Sequence, residues 1–325
     1  MNGEPHAGAG KGRATPEQTE QTEPEGAARG AGGAGGAREV GEQAEALESR
    51  LLAAAGFAHA FFTRRGGVSA PPWDTLNLAA STGDDPAAVH ENLVRAARRL
   101  GIPPARLYFL SQVHGVAARE LTGEEDREAV VREVGDITVS RAPGVACGVR
   151  SADCATVLLA DRRSGAVAAV HSGWRGTVLG AAAQGVAELR RLARLARLAH
   201  LAGSEEDLVA AIGPHIEACC FEVGDDVAAQ LAGCSPAGEA AVIRGEGARP
   251  HVDLRRVLRA QLVAVGIADA AIEDVPGCTV CDPARFFSYR RDSQRSGRLL
   301  SAIVVRELGG AARATEAEAT SLERG

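Results

Sequence analysis

Short apolar runs alternate with helical segments and with glycine and proline turns over most of this chain. Each run is short and bounded by turn residues, a pattern typical of buried strands. The alternation predicts a single α/β (α+β) domain over residues 50–308. Strands are expected within 57–65, 106–115, 135–161 (two or three strands), 165–177, 207–214 and 299–308.

Three segments predict helices. Residues 85–101 are amphipathic, with Asp85 as the N-cap, Pro86 in the first turn and Gly101 as the C-cap. Residues 252–267 predict a second helix, with Asp253 near its start. The third segment, 188–203, has leucine at every third position, and a helix of 3.6 residues per turn makes such a stripe drift around its surface. A solvated helix is therefore favoured over a coiled-coil, membrane-binding or RNA-binding one.

The two ends of the chain differ from its centre. Residues 1–45 and 309–325 have no apolar periodicity, which predicts a disordered leader and a disordered tail. The chain has no apolar stretch long enough for a bilayer and begins without the apolar core of a secretory signal, so a soluble, cytoplasmic protein without membrane contact is expected. The net charge of −6 gives no attraction to nucleic acid. The oligomeric state stays open.

Three of the apolar segments deliver a metal-capable side chain at or near their ends. His114 follows FLSQV, Cys154 follows VRSAD and His171 follows AVAAV. No local metal-binding motif has this spacing, so the fold must assemble any site made from them. Two imidazoles and a thiolate suit Zn²⁺ and leave the fourth tetrahedral position for water or substrate. The pattern predicts a catalytic zinc centre at these three residues.

Charged residues flank the same segments. Asp153 stands beside Cys154 in an apolar setting and needs a partner, and a hydrogen bond to a ligating histidine is one candidate role. Arginines in nearby glycine-rich turns suit bidentate binding of phosphate or carboxylate. These arginines are Arg64, Arg65, Arg150, Arg175, Arg290 and Arg291.

Many short motifs occur in the order seen in one known family. They are FFTRRGGVS (61–69), LNL (76–78), GDD (83–85), QVHG (112–115), SADC (151–154), LLAD (158–161), AVHSGWRGT (169–177), AIGPHIEACCFEVG (211–224) and FFSYRRD with SGR (286–298). The chain resembles the laccase-domain, or polyphenol-oxidase-like, purine nucleoside phosphorylases, also called peptidoglycan editing factors. The resemblance covers nearly all of residues 57–306.

The resemblance implies mixed β-sheets layered with outer helices, and metal ligands at His114, Cys154 and His171. It implies phosphorolysis of adenosine, inosine, guanosine and methylthioadenosine, with adenosine deamination, so purine nucleosides and phosphate are the expected partners. Phe221 stands where the family usually has tyrosine, and it has no hydroxyl for a polar role. The candidate substrate- and phosphate-binding residues are Arg64, Asn77, Asp153 and Arg175.

A copper-dependent polyphenol oxidase is one alternative, with Cu²⁺ in place of Zn²⁺. Two histidines and a cysteine are the trigonal ligand set of blue copper, which normally adds an axial methionine. The only methionine is Met1, and the 8 histidines are scattered along the chain.

A cysteine hydrolase or amidase linked to peptidoglycan editing is a second alternative. Cys154 would be the nucleophile, His114 or His171 the base, and Asp153 the orienting carboxylate. A binding module that has lost activity is the non-enzymatic alternative, and the intact ligand triad argues against it.

Two further motifs, H-x-E and C-x-x-C, have low specificity. His215 and Glu217 form H-x-E, and Cys278 and Cys281 form C-x-x-C, as in cytidine deaminases. The two patterns are too far apart for that motif, and Gly277 stands where it has a proline before the first cysteine, so the match is interpreted as a coincidence. The C-x-x-C alone allows a redox or structural pair, and the adjacent cysteines 219 and 220 are interpreted as packing residues. The odd count of 7 cysteines disfavours a disulfide framework.

Overall fold

The computed structural model describes residues 43–198 and 207–307. The predicted tail lies outside these ranges, and so does the predicted leader except for residues 43–45. At that edge Ala44 is buried, and the backbone N–H of Glu45 donates to the carbonyl of Arg65 at 3.1 Å. The predicted helix 188–203 is described only as far as Leu198.

Two large mixed sheets form the centre of the domain. The five-stranded sheet has the order β1-β2-β13-β6-β3, the six-stranded sheet has the order β12-β9-β7-β8-β5-β4, and β10 pairs with β11. The strands are β1 Ala46–Leu47, β2 His59–Phe62, β3 Leu107–Tyr108, β4 Ala118–Leu121, β5 Ile137–Ser140, β6 Ala146–Ser151, β7 Ala155–Asp161, β8 Val167–Ser172, β9 Leu208–Ile212, β10 Val242–Ile243, β11 His251–Val252, β12 Ile272–Asp274 and β13 Leu299–Val304. The predicted class of mixed sheets with outer helices is confirmed.

The main core lies between the two sheets. Phe61 and Ile303 of the five-stranded sheet pack there with Leu158 and Val209 of the six-stranded sheet. Each such side chain, fully removed from water, stabilises the fold by about 1.5–3 kcal/mol.

Helices cover the outer face of each sheet. Helix α2 packs Leu93, Ala96 and Ala97 against the five-stranded sheet, while α5 and α7 pack against the six-stranded one. The helices are α1 Arg50–Ala54, α2 Pro86–Leu100, α3 Arg127–Val130, α4 Trp174–Val178, α5 Ala181–Leu198, α6 Asp225–Gly233, α7 Leu254–Ala264 and α8 Tyr289–Asp292.

Strand β7 shows why several strands are apolar at every position. Successive side chains of a strand point to opposite faces. Leu158 and Ala160 face the core between the sheets, whereas Val157 and Leu159 face the helices. A strand covered on both sides therefore shows a continuous apolar run rather than an alternation.

The sequence predicted α2 closely. The Asp85 side chain accepts a hydrogen bond from the N–H of Ala87, Pro86 opens the helix, and Gly101 ends it in the left-handed conformation. Helix α7 likewise begins after Asp253, whose side chain accepts from the N–H of Arg256.

The leucines at every third position of α5 move gradually around the helix surface, as a helix of 3.6 residues per turn requires. Leu189 and Leu192 are fully buried against the six-stranded sheet, whereas Leu195 is 42% exposed and Leu198 is 71% exposed. The predicted solvated helix is thus correct for its later turns only, because its earlier turns are core.

Candidate metal centre and active site

The β6–β7 connection carries Cys154 from one sheet to the other. Strand β6 belongs to the five-stranded sheet and β7 to the six-stranded sheet, and Asp153 turns the chain between them with a φ of 89°. Ala155 at the start of β7 pairs with Ser172 at the end of β8. Because Cys154 directly precedes Ala155 and His171 directly precedes Ser172, this register brings Cys154 close to His171.

The loop after β3 carries His114 to the same place. Gln112 fixes this loop, because its side-chain amide donates to the carbonyl of Arg150 at 2.7 Å and accepts from the N–H of Arg150 at 2.8 Å. His114 then adopts a left-handed φ of 64°. Strand β3 ends at Tyr108, earlier than predicted, and the chain beyond it is a loop that positions His114.

The three predicted ligands converge on one point. His114, Cys154 and His171 offer donor atoms that all lie within 4.8 Å of one another. The Cys154 Sγ lies 3.7 Å from the His114 Nε2, and tetrahedral zinc with its ordinary bond lengths separates such atoms by about 3.6 Å. The residues therefore fit a metal ion held by two imidazoles and a thiolate.

Asp136, which the sequence analysis missed, organises this site. Its fully buried carboxylate accepts from His171 Nδ1 at 2.8 Å. It also accepts from the backbone N–H groups of Val113, His114 and Gly115 at 3.2, 2.9 and 2.8 Å. The first bond leaves the Nε2 of His171 available to a metal, and the others hold the His114 loop. The available signal was an aspartate directly before an apolar strand, in GDIT.

Cys154 and His171 stabilise each other's charged forms. Burial alone would raise the pKa of Cys154, but the charge of His171 and a hydrogen bond from His114 lower that pKa to about 6. Burial alone would lower the pKa of His171, but the thiolate of Cys154 and the bond to Asp136 raise that pKa to about 9. A deprotonated thiol is the form that binds metals and attacks electrophiles.

A cavity of about 600 Å³ opens at this centre. Its size falls within the range of small-molecule sites. Phe221, Ile216 and Trp174 contribute apolar wall, and the three metal-capable residues lie at its surface. The cationic part of the lining consists of Arg150, Arg175, Arg290 and Arg298.

The guanidinium groups of these four arginines have no carboxylate partner within 4.0 Å among residues 43–198 and 207–307. Three of them donate to backbone carbonyls instead: Arg150 to Leu110, Arg290 to Cys220 and Arg298 to Ser296. Burial, with the charges of Arg298 and Arg127, lowers the pKa of Arg150 to about 10. An anion in the cavity would relieve this crowding of positive charge.

Asp153 and Arg175 line the cavity, as a substrate-binding role requires. The Asp153 carboxylate accepts from Thr279 Oγ1 at 2.6 Å and from the N–H of Arg290 at 2.5 Å. Asp136, not Asp153, therefore orients His171. Arg175 lies in the helix α4, not in a glycine-rich turn as the sequence predicted.

Arg64 and Asn77 lie outside the cavity lining. Arg64 forms an ion pair with Asp74 at 3.2 Å and stacks over the ring of Phe287. Asn77 is fully buried, and its side-chain oxygen accepts from the N–H of Arg298 at 2.8 Å. Asn77 can thus act on the cavity through Arg298 and through Ala79, a second lining residue whose backbone bonds to the Asn77 side chain.

The imidazole of His215 takes no part in either cysteine-containing centre, although the backbone of His215 pairs with that of Cys278. It is fully buried, and its Nδ1 bonds to the carbonyl of Gly213 at 2.8 Å. Among the described residues it belongs to neither group of possible metal ligands, which supports the interpretation of the deaminase pattern as a coincidence.

No helix in the described part of the chain combines the length and the apolar character needed to cross a membrane.

Comparisons with known proteins agree with the motif order. Residues 58–306 match the family described as multi-copper polyphenol oxidoreductase laccase. The chain is 38% identical to a purine nucleoside phosphorylase of Streptomyces griseus, over 78% of this chain and 96% of that protein. It is 36% identical to the purine nucleoside phosphorylase YfiH of Escherichia coli, over 76% of this chain and 93% of that protein.

Solved structures show the same architecture. The YfiH protein of Bacillus licheniformis is similar with a TM-score of 0.70 and 29% identity, over 77% of this chain and 93% of that chain. YlmD of Geobacillus stearothermophilus is similar with a TM-score of 0.69 and 30% identity, over 80% of this chain and 94% of that chain. With its fold, motif order and sequence identity in agreement, the chain belongs to the laccase-like family of the YfiH proteins.

Proposed function

We propose that the protein is a purine nucleoside phosphorylase acting on adenosine, inosine, guanosine and methylthioadenosine, with adenosine deaminase activity. The observation that carries the proposal is the set of four arginines that line the same cavity as the His–Cys–His centre and whose guanidinium groups have no carboxylate partner in the described structure. Two of the relatives compared above bear the name purine nucleoside phosphorylase, which supports this assignment.

We propose Zn²⁺ as the metal, held by His114, Cys154 and His171. When bound, it supplies Lewis acidity and lowers the pKa of a coordinated water. Cu²⁺ is the alternative that the family's description suggests, and a blue absorption with copper in the purified protein would identify it. The axial methionine of a blue-copper site cannot come from the described residues, since Met1 lies outside them.

Different cavity residues bind the two substrates of phosphorolysis. The arginines bind phosphate and place one of its oxygens against the ribose C1′, while Phe221, Ile216 and Trp174 contact the purine. The new bond joins a phosphate oxygen to C1′, and the glycosidic bond to the purine nitrogen breaks. Its electron pair leaves with the purine, which gains a proton. The products are ribose 1-phosphate and the free base.

Phosphate dependence tests this proposal. Purified protein is incubated with adenosine, with and without inorganic phosphate, and the products are separated by chromatography. We expect inosine from deamination in both reactions. Adenine, hypoxanthine and ribose 1-phosphate should form only when phosphate is present, with hypoxanthine arising from that inosine. Adenine released at the same rate without phosphate would refute phosphorolysis, and inosine as the sole product would leave only a deaminase.

Arg175 offers a substitution that should not disturb folding, because its side chain is exposed and stacks on the ring of Trp174. We expect Arg175→Gln to raise the KM for phosphate about 10- to 100-fold, since a hydrogen bond to a charged group contributes about 1.5–3 kcal/mol. The KM for adenosine should change less. The matched control is Arg249→Gln, which removes an exposed arginine outside the cavity lining. Equal effects of the two substitutions would argue against a phosphate site at Arg175.

A cysteine hydrolase is the second candidate, favoured by one specific observation. Asp136, His171 and Cys154 form a carboxylate–imidazole–thiol chain in which the pKa of Cys154 is lowered to about 6. This is the arrangement that activates a nucleophilic cysteine. Activity on an amide or muropeptide substrate that survives complete metal removal would support this candidate.

A further inference from the structure

The structure brings four cysteines together at a second place in the chain. Cys219 and Cys220 lie in a turn beyond β9, and Cys278 and Cys281 lie in a turn beyond β12. Strands β9 and β12 are parallel neighbours, and the pairing continues as a bridge between His215 and Cys278. Because parallel strands end at the same edge of a sheet, the two turns meet although they are far apart in sequence.

The four sulfur atoms form one compact cluster. The Sγ of Cys219 lies 3.5 Å from those of Cys278 and Cys281, and the Sγ of Cys220 lies 3.3 Å from that of Cys281. All four lie within 4.8 Å of one another. In a tetrahedral zinc–thiolate site with bonds of about 2.3 Å, the sulfurs are about 3.8 Å apart. The interpretation of Cys219 and Cys220 as simple packing residues is therefore incomplete.

We propose that Cys219, Cys220, Cys278 and Cys281 bind one thiophilic divalent cation, Zn²⁺, in a closed structural site. Four thiolates fill the tetrahedral coordination of zinc and leave no position for a substrate. Soft sulfur ligands select zinc over the hard cations magnesium and calcium. Cys219 and Cys281 are exposed, so the ion can enter, while Cys278 is buried.

The two turns joined by this cation contact residues that line the catalytic cavity. Thr279, inside the C-x-x-C turn, donates to Asp153, the neighbour of Cys154. Arg290 donates from its side chain to the carbonyl of Cys220 and from its backbone to Asp153. Phe221, which lines the cavity, directly follows Cys220. The cation would thus fix the part of the cavity wall formed by Asp153, Phe221 and Arg290 without touching substrate.

Metal counting on the full-length protein tests the proposal. Protein purified with a reductant from zinc-supplemented cells is analysed by mass spectrometry of its metals. We expect about two zinc ions per chain in the wild type, one for each site. Cys154→Ala should keep the ion of the four-cysteine site, and Cys281→Ser should lose it. The matched control is Cys234→Ser, since Cys234 lies outside both centres and should keep both ions.

Cobalt substitution gives a readout that does not depend on Cys281→Ser folding. In the Cys154→Ala variant, only the four-cysteine cluster can give the intense sulfur-to-cobalt charge-transfer bands and the visible bands of a tetrahedral thiolate site. We expect those bands on adding Co²⁺ and their loss on adding excess Zn²⁺. Their absence in folded, reduced Cys154→Ala protein would overturn the proposal, as would a disulfide among the four cysteines in the freshly purified native protein.

Discussion

Cys154→Ala is expected to lower nucleoside turnover by at least about 10³-fold, because the proposed metal ion would supply several kcal/mol of transition-state stabilisation and each 1.36 kcal/mol is a factor of ten in rate. The thiolate is the charged member of the ligand set, and the two imidazoles alone hold zinc far more weakly. The protein should remain folded, because Cys154 lies in a connection at the edge of the cavity and its side chain is only partly buried.

The measurement combines turnover, metal content and thermal unfolding of the same sample. Cys234→Ser serves as the control, since it also removes a partly buried thiol but one outside the metal centre. Unchanged turnover of Cys154→Ala would remove Cys154 from catalysis altogether. Wild-type protein stripped with a chelator separates the two roles of the thiol: a metal ligand loses activity with the metal and regains it with Zn²⁺, whereas a nucleophile keeps it.

Gly173→Ala is expected to weaken metal binding at His114, Cys154 and His171 while leaving the protein folded. A Cβ atom at this position would lie 2.7 Å from the Sγ of Cys154 and 2.9 Å from the Cδ2 of His114. Contacts this short force the ligand side chains apart. Gly173 has a φ of −64° and a ψ of 170°, which alanine adopts without strain, so the backbone needs no rearrangement.

The expected result is a loss of metal affinity of at least about 10- to 100-fold, the range seen when ligand-orienting contacts are lost. Alanine is also a poorer N-cap than glycine for α4, which costs about 0.5 kcal/mol and shifts the melting temperature little. Gly233→Ala is the matched control, because its Cβ would meet no atom within 4 Å. Wild-type zinc affinity and normal turnover in Gly173→Ala would show that the two ligands do not form the metal site together.

Much of the fold could be predicted because its signals are local. The start and end of α2 follow from Asp85, Pro86 and Gly101, each of which acts on its own backbone neighbourhood. The apolar runs identified the positions of the longer strands. The boundary after Tyr108 was less clear, because nothing in FLSQV itself distinguishes a strand from an extended loop that the side chain of Gln112 ties to a neighbouring strand.

The candidate site residues likewise include some that the sequence could predict and others that it could not. His114, Cys154 and His171 were visible in the sequence because only a few residue types bind metals and all three stand at the ends of apolar segments. Arg64 and Asn77 stand in family motifs, yet the structure places them in supporting contacts. The role of Asp136 could not be predicted from the sequence, because it depends on a buried hydrogen bond to His171, which lies on strand β8, distant in the sequence.

The sequence by itself determined the helix caps, the strand-forming runs and the identity of the three metal-capable residues, because these depend on residue chemistry and short-range periodicity. Only the tertiary structure decided which charges share a cavity, which carboxylate orients His171 and which of the cysteines meet. Those relations arise from strand order and register, and two parallel strands bring Cys219 and Cys278 within 3.5 Å across a long stretch of chain. Local pattern contains no information about such distances, because they depend on how the sheets pair and pack.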